Sequence, residues 1–240
     1  MKENVFYKII IVPFAHIIEI SVGIYAIYTI FNAKKLKLTL TKEWYVLLGF
    51  FMARPIFDVW AYTIYNNLIP TLTLAIQAYS KIGSHIYVPL QFVVYVYTFT
   101  KWQMQTPMTK IIQFGIVGIF LALFVGLKVS GLEPLNEFPS ISLIVSNCMI
   151  MFLSMPSQGY NVQKSFIPPH ENPHYIVAVA VTVSSLAYIV VSVFYPRFPV
   201  LQIAFPAINI FVNTCFFYAL YQLNRYMKRF NKSIGESWHD

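Results

Sequence analysis

The chain has 240 residues, 58% of them hydrophobic and 11% charged, with a formal net charge of +8. Soluble domains carry about 25% charged residues, so one water-facing core cannot explain this composition and lipid must solvate much of the surface. The Lys and Arg lie at the ends of apolar runs and form no basic groove, which favours anionic headgroups over nucleic acid as their partner.

A membrane-crossing helix needs about 20 mostly apolar residues. Spans are predicted at 6–31, 44–65, 83–102, 111–127, 139–153, 175–195 and 200–221, in one domain covering 1–240. The first run has Lys2 and Lys8 ahead of it, like a signal peptide. It is long, carries Glu19 and lacks a small-residue cleavage site, so it reads as a retained helix. The stretch 69–79 is too short to cross, opens at Pro70 and closes at Lys81–Gly83, and is expected to form an interfacial or re-entrant helix. The fifth span is short. Trp44, Tyr45, Trp102, Tyr195 and Tyr221 mark span ends as interfacial anchors, and Pro13, Pro55, Pro89 and Pro206 fall within spans. In the fourth span Gly118, Ala122 and Gly126 form a small-residue stripe. It would permit close helix approach, first within the bundle and otherwise in a homodimer.

Orientation follows from the loops. One side receives eleven basic residues, among them Lys34, Lys35, Lys37, Lys42 and the run Arg225 to Lys232; the other receives five. The bias predicts an all-α bundle of seven transmembrane helices with the N-terminus out and the C-terminus in the cytoplasm.

Ionisable groups at membrane depth cost at least about 2.5–3.5 kcal/mol each, so those present call for explanation. Glu19 lies in the first span, three residues after His16; Arg54 and Asp58 lie four apart in the second and can pair. At about 1.5 Å per residue, Glu19, Arg54, Asp58, Gln91, Asn147, Asn209 and Asn213 all fall between about 12 and 21 Å from the basic side. Gln202, Pro206, Asn209 and Asn213 share a face of the last span. These residues predict a polar mid-membrane layer that either locks helix order or lines a cavity for a small ligand or proton. Two acids against one Arg leave a charge of −1, which His16, a proton or a ligand could balance.

Other motifs lead away from enzymes. His170, Glu171 and His174 spell the zinc-protease pattern, which needs one continuous helical turn, but Pro173 breaks it, so a turn opening the sixth helix is expected instead. His16 and Glu19 are a single carboxylate–histidine pair where a di-iron bundle needs two. No Lys lies between Arg197 and Arg225 for a retinal Schiff base. Nucleophile elbows and phosphate-binding glycine loops are missing too. Cys148 and Cys215 sit in apolar runs and imply no disulfide scaffold. No catalytic residue, metal or cofactor is expected.

Three short features carry a resemblance: Val88-Pro89-Leu90-Gln91 before the aromatic run Phe92 to Phe99, Pro173-His174-Tyr175-Ile176 opening the sixth span, and Asn209 to Asn213 ahead of Tyr218 and Tyr221. With the span layout, they resemble the small seven-helix membrane proteins of Bacteroidetes-type bacteria and the seven-helix sensor modules of bacterial signalling proteins. The resemblance implies a multi-pass protein of the bacterial inner membrane, receptor-like or sensory. With no signalling domain after the last span, it also implies a separate cytoplasmic partner. The rival expectations are a small-solute or ion transporter or channel, which would show two related halves, and a structural membrane subunit.

Overall fold

The computed structural model describes residues 11–65, 74–103, 108–135, 139–164, 167–194, 197–198 and 204–236. The side chains at 58–65, 74–82, 161–164 and 232–236 fall outside the description. Among the described residues the chain forms seven α-helices and no strand. They are α1 (Val12–Lys35), α2 (Lys42–Tyr65), α3 (Leu74–Gln103), α4 (Met108–Val129), α5 (Ser140–Lys164), α6 (Pro173–Phe194) and α7 (Ala204–Glu236). The long apolar runs explain this choice. In lipid a helix satisfies its own backbone polar groups, whereas an open strand leaves them bare.

Helix ends follow local chemistry. α1 stops in a left-handed turn at Lys37 (φ 54°), where Leu38 N–H returns to the Ala33 carbonyl and Lys37 N–H to that of Lys34. This is the Schellman closure, with a lysine in the position glycine usually takes. α6 starts as the proline reading requires: Asn172 Oδ1 accepts the backbone N–H of His174 at 3.0 Å, and Pro173 occupies the first turn. Glu133 caps α5, accepting the Ser142 N–H at 3.0 Å and an ammonium hydrogen bond from Lys128 at 2.8 Å.

Six helices form a ring in the order α1, α2, α3, α5, α6, α7, with α7 closing on α1; α4 lies outside against α3 and α5. Phe51, Phe92, Phe99, Phe120 and Phe216 are fully buried in the core. The outward faces are apolar as well. Ile17, Ile24 and Phe31 on α1, and Ile111, Phe114 and Val129 on α4, are all more than half exposed. Water tolerates such faces poorly, and lipid does not. Helices α1, α4, α5, α6 and α7 are each long and apolar enough to cross a membrane. Together they support a helical membrane protein.

Several expectations need correction. α3 runs unbroken through Lys81–Gly83, so from Leu74 onward the anticipated interfacial helix is the start of a 30-residue helix. Gly83 does not end it, because nothing there adopts the left-handed conformation that stops a helix; residues 66–73 lie outside the described residues. α5 extends to Lys164 across Pro156, and α7 extends to Glu236, carrying the basic run as helix. Pro13 and Pro206 lie within three residues of where the described parts of α1 and α7 begin. Trp44 and Trp102 are buried in the bundle, so neither ring is presented outward as an anchor. The stripe of Gly118, Ala122 and Gly126 faces no neighbouring helix among the described residues: a Cβ built on either glycine meets nothing within 4 Å. Tyr195 lies outside the described residues.

Candidate functional site

α1 and α2 meet without a gap because Gly23 has no side chain. A Cβ there would lie 3.2 Å from both the Phe51 carbonyl oxygen and Pro55 Cγ. That carbonyl is the one Pro55, four residues later, leaves without a helical N–H. One turn before Gly23 on the same face is Glu19, and one residue before Pro55 is Arg54. The close crossing brings their charges together: Arg54 Nε lies 2.5 Å from Glu19 Oε1. Both side chains are more than nine-tenths buried.

The guanidinium fork then reaches α7. Nη1 donates to Asn213 Oδ1 at 3.1 Å and Nη2 to Asn209 Oδ1 at 3.0 Å. The four-residue spacing of the two Asn puts both amides on one helix face, matching the fork of the arginine. Tyr188 of α6 donates its hydroxyl to the same Asn209 oxygen. Tyr95 of α3 is fully buried and close enough to feel both charges. Arg54 thus ties α1, α2, α6 and α7 together, with α3 alongside. Glu19 balances its charge, and Asn213 Nδ2, buried beside it, has no acceptor among the described residues.

The anticipated layer is only partly assembled. Glu19, Arg54, Asn209 and Asn213 meet. Asn147 instead spends its amide on the Leu143 carbonyl of its own helix at 2.8 Å, an alternative short polar side chains always have. Gln91 is half-buried and has no hydrogen bond to the group among the described residues. His16 is half-buried one turn before Glu19. The Asp58 side chain and all of Gln202 lie outside the described residues. Tyr188 and Tyr95 were not anticipated. Among 17 Tyr, only their helical level relative to the Asn pair could have singled them out.

Two further polar levels lie toward the lysine-rich end. Asn32 Nδ2 donates to Asn224 Oδ1 at 2.7 Å, and Asn224 Nδ2 donates to Thr29 Oγ1 at 2.7 Å, pinning α1 to α7. Beyond them, Trp44 Nε1 donates to His174 Nε2 at 3.0 Å, with the Trp102 ring 4.6 Å from the imidazole. His174 is therefore half-buried, its ring set between two indoles. His170 stays exposed in the turn, and Glu171 pairs with Arg225 at 3.2 Å and Arg229 at 3.4 Å on α7. The zinc-like spacing is taken apart into three separate jobs. No three His, Cys, Asp or Glu among the described residues are grouped to hold a metal.

At the opposite end Glu133 closes the α4–α5 turn. Burial pushes its carboxyl up, but the hydrogen bonds from Lys128 and Ser142 outweigh that and hold it below its ordinary value. Comparison with protein families, curated proteins and solved structures finds no match for this chain, so the site rests on its own geometry.

Proposed function

We propose that the chain is a receptor-like or sensory membrane protein. It crosses the bilayer seven times, N-terminus out and C-terminus in the cytoplasm, and belongs to the seven-helix type of bacterial inner-membrane protein that its sequence resembles. The observation behind this is the Arg54 group. A buried arginine bonded to α1 and α7, with α6 joined to it through Tyr188 on Asn209, makes their relative positions depend on a few polar contacts, and an ionisable group inside a membrane bundle is a functional-site hypothesis by default. A proton on Glu19, or a small polar ligand accepting from Asn213, competes with those contacts and repositions α1, α6 and α7. The continuous α7 carries such a shift to Arg225 and Arg229, which hold the α5–α6 turn through Glu171. A cytoplasmic partner would read the movement there.

The near-complete burial of Glu19 and Arg54 favours a second reading, a packing lock with no ligand. One experiment separates the two. The full chain in lipid nanodiscs is melted across pH and against a panel of small polar molecules, as wild type, Glu19→Gln and Asp58→Asn. The sensory reading expects a pH- or ligand-dependent shift of several degrees in wild type that the variants lose. A wild type indifferent to both, with variants that are merely less stable, leaves only the lock. Protease access to a C-terminal tag in inside-out vesicles tests the orientation: the tag should be cut, and protection would reverse it.

A further inference from the structure

The lysine-rich end of the α1–α7 seam has a geometry of its own. Tyr25 and Phe217 have ring centroids 4.7 Å apart, and Asn32 is bonded to Asn224, 192 positions later. The two contacts keep the same separation along the chain, so α1 and α7 run parallel in register. Lys35 is then level with Met227 and Lys228, and Tyr28 with Leu220 and Tyr221. At about 100° per residue, Lys35 and Tyr28 fall to one side of the line through Asn32. Lys228 and Tyr221 fall to the same side of the line through Asn224. Burial agrees, since these four are exposed while Ala26, Ala33, Leu220 and Met227 on the other side are buried. The result is an outward furrow with two ammonium groups at its top and two phenol rings about 10 Å lower.

Height fits a membrane surface. Lys35 lies four residues, about 6 Å, beyond Phe31, the last strongly exposed aromatic of α1. Neither lysine has an acidic partner among the described residues, whereas Arg225 and Arg229 are already engaged by Glu171. We propose that this furrow binds one anionic phospholipid, its phosphate between Lys35 and Lys228 and the top of an acyl chain along Tyr28 and Tyr221. A zwitterionic headgroup would bring its own cation against the two lysines, so the furrow selects for net negative charge. Because the lipid bridges α1 and α7, it reinforces the Asn32–Asn224 contact.

The test uses the full chain in mild detergent, with dioleoyl-phosphatidylglycerol, dioleoyl-phosphatidylcholine or inorganic phosphate added. Bound lipid is counted by native mass spectrometry and stability is followed by melting. Phosphatidylglycerol should bind about tenfold or more tightly than phosphatidylcholine, from two lysines near a headgroup. It should also raise the melting temperature more. Lys35→Gln with Lys228→Gln should bring that preference close to one. Arginine at both positions should keep it, as should Lys42→Gln with Lys110→Gln, exposed lysines elsewhere. Equal binding of the two lipids would overturn the proposal. So would an undiminished preference in the glutamine pair, or the same stabilisation from inorganic phosphate alone.

Discussion

The seam where α1, α2 and α7 meet and the flank formed by α4 are built from similar apolar runs and end up as opposites. On the seam the small and polar residues that set the packing have counterparts: Gly23 makes room for a carbonyl, Arg54 finds Glu19 and two asparagines, and Asn32 finds Asn224. On α4 only Thr109 and Phe120 are buried, and its glycines face open space. Apolarity therefore carries a helix into lipid without deciding its neighbours. The few polar and small positions decide that, because a misplaced polar group in hydrocarbon is costly while a misplaced Leu is nearly free.

Substitutions along the two regions should break or sharpen this contrast. The largest effect is expected from Arg54→Met, which strands the Glu19 carboxylate; equilibrium unfolding in lipid–detergent micelles should show a loss of about 3–5 kcal/mol. A loss below about 1 kcal/mol would mean the seam is no more specific than the flank. Gly23→Ala comes next. Its methyl group must push aside the Phe51 carbonyl or the Pro55 ring, for about 1–3 kcal/mol. Asn224→Ala removes both bonds to α1 and should cost up to about 1.7 kcal/mol, the upper range for interhelical hydrogen bonds in membranes.

Glu133 gives a smaller effect with a definite sign. Its carboxyl is held below the ordinary 4.5, so its contribution is complete above that value and fades as pH falls through the lowered one. Melting curves of wild type should drop in that acid window, while Glu133→Gln, without a titrating group there, should show a flatter pH profile. The smallest effect is expected on the flank. Gly118→Ala meets no atom and should be neutral or stabilise by up to about 1 kcal/mol, through helix propensity alone. A clear destabilisation there would show that α4 has a neighbour, such as a second copy of the chain.

Much of the helix layout was legible from the apolar runs, because lipid admits few other backbone solutions. Boundaries were less so. The sequence around Lys81–Gly83 looks like a stop, yet α3 continues through it, and the basic run after Asn224 looks like a tail, yet it is helix. Polar residues end a span in composition without ending the hydrogen-bond ladder. Within the site, Glu19, Arg54, Asn209 and Asn213 stood out because charge and amide are costly at that depth. The pairing of Arg54 with Glu19 and the two asparagines did not, since Glu19 is near only once α1 and α2 have packed and the asparagines lie more than 150 positions away. Asn147 was indistinguishable from the other asparagines. Whether an amide turns inward or bonds its own backbone depends on the facing helix, and the chain order does not specify that.

A double-mutant cycle on Glu19 and Arg54 tests the central claim most directly, by comparing Glu19→Gln, Arg54→Met and the pair in lipid nanodiscs. If one buried ion pair holds α1 to α2, the two single losses will not add, and the double variant will be no less stable than the worse single, a coupling of about 2–3 kcal/mol. Losses that simply add, within about 0.5 kcal/mol, would mean the two charges act independently and the seam is held by something else.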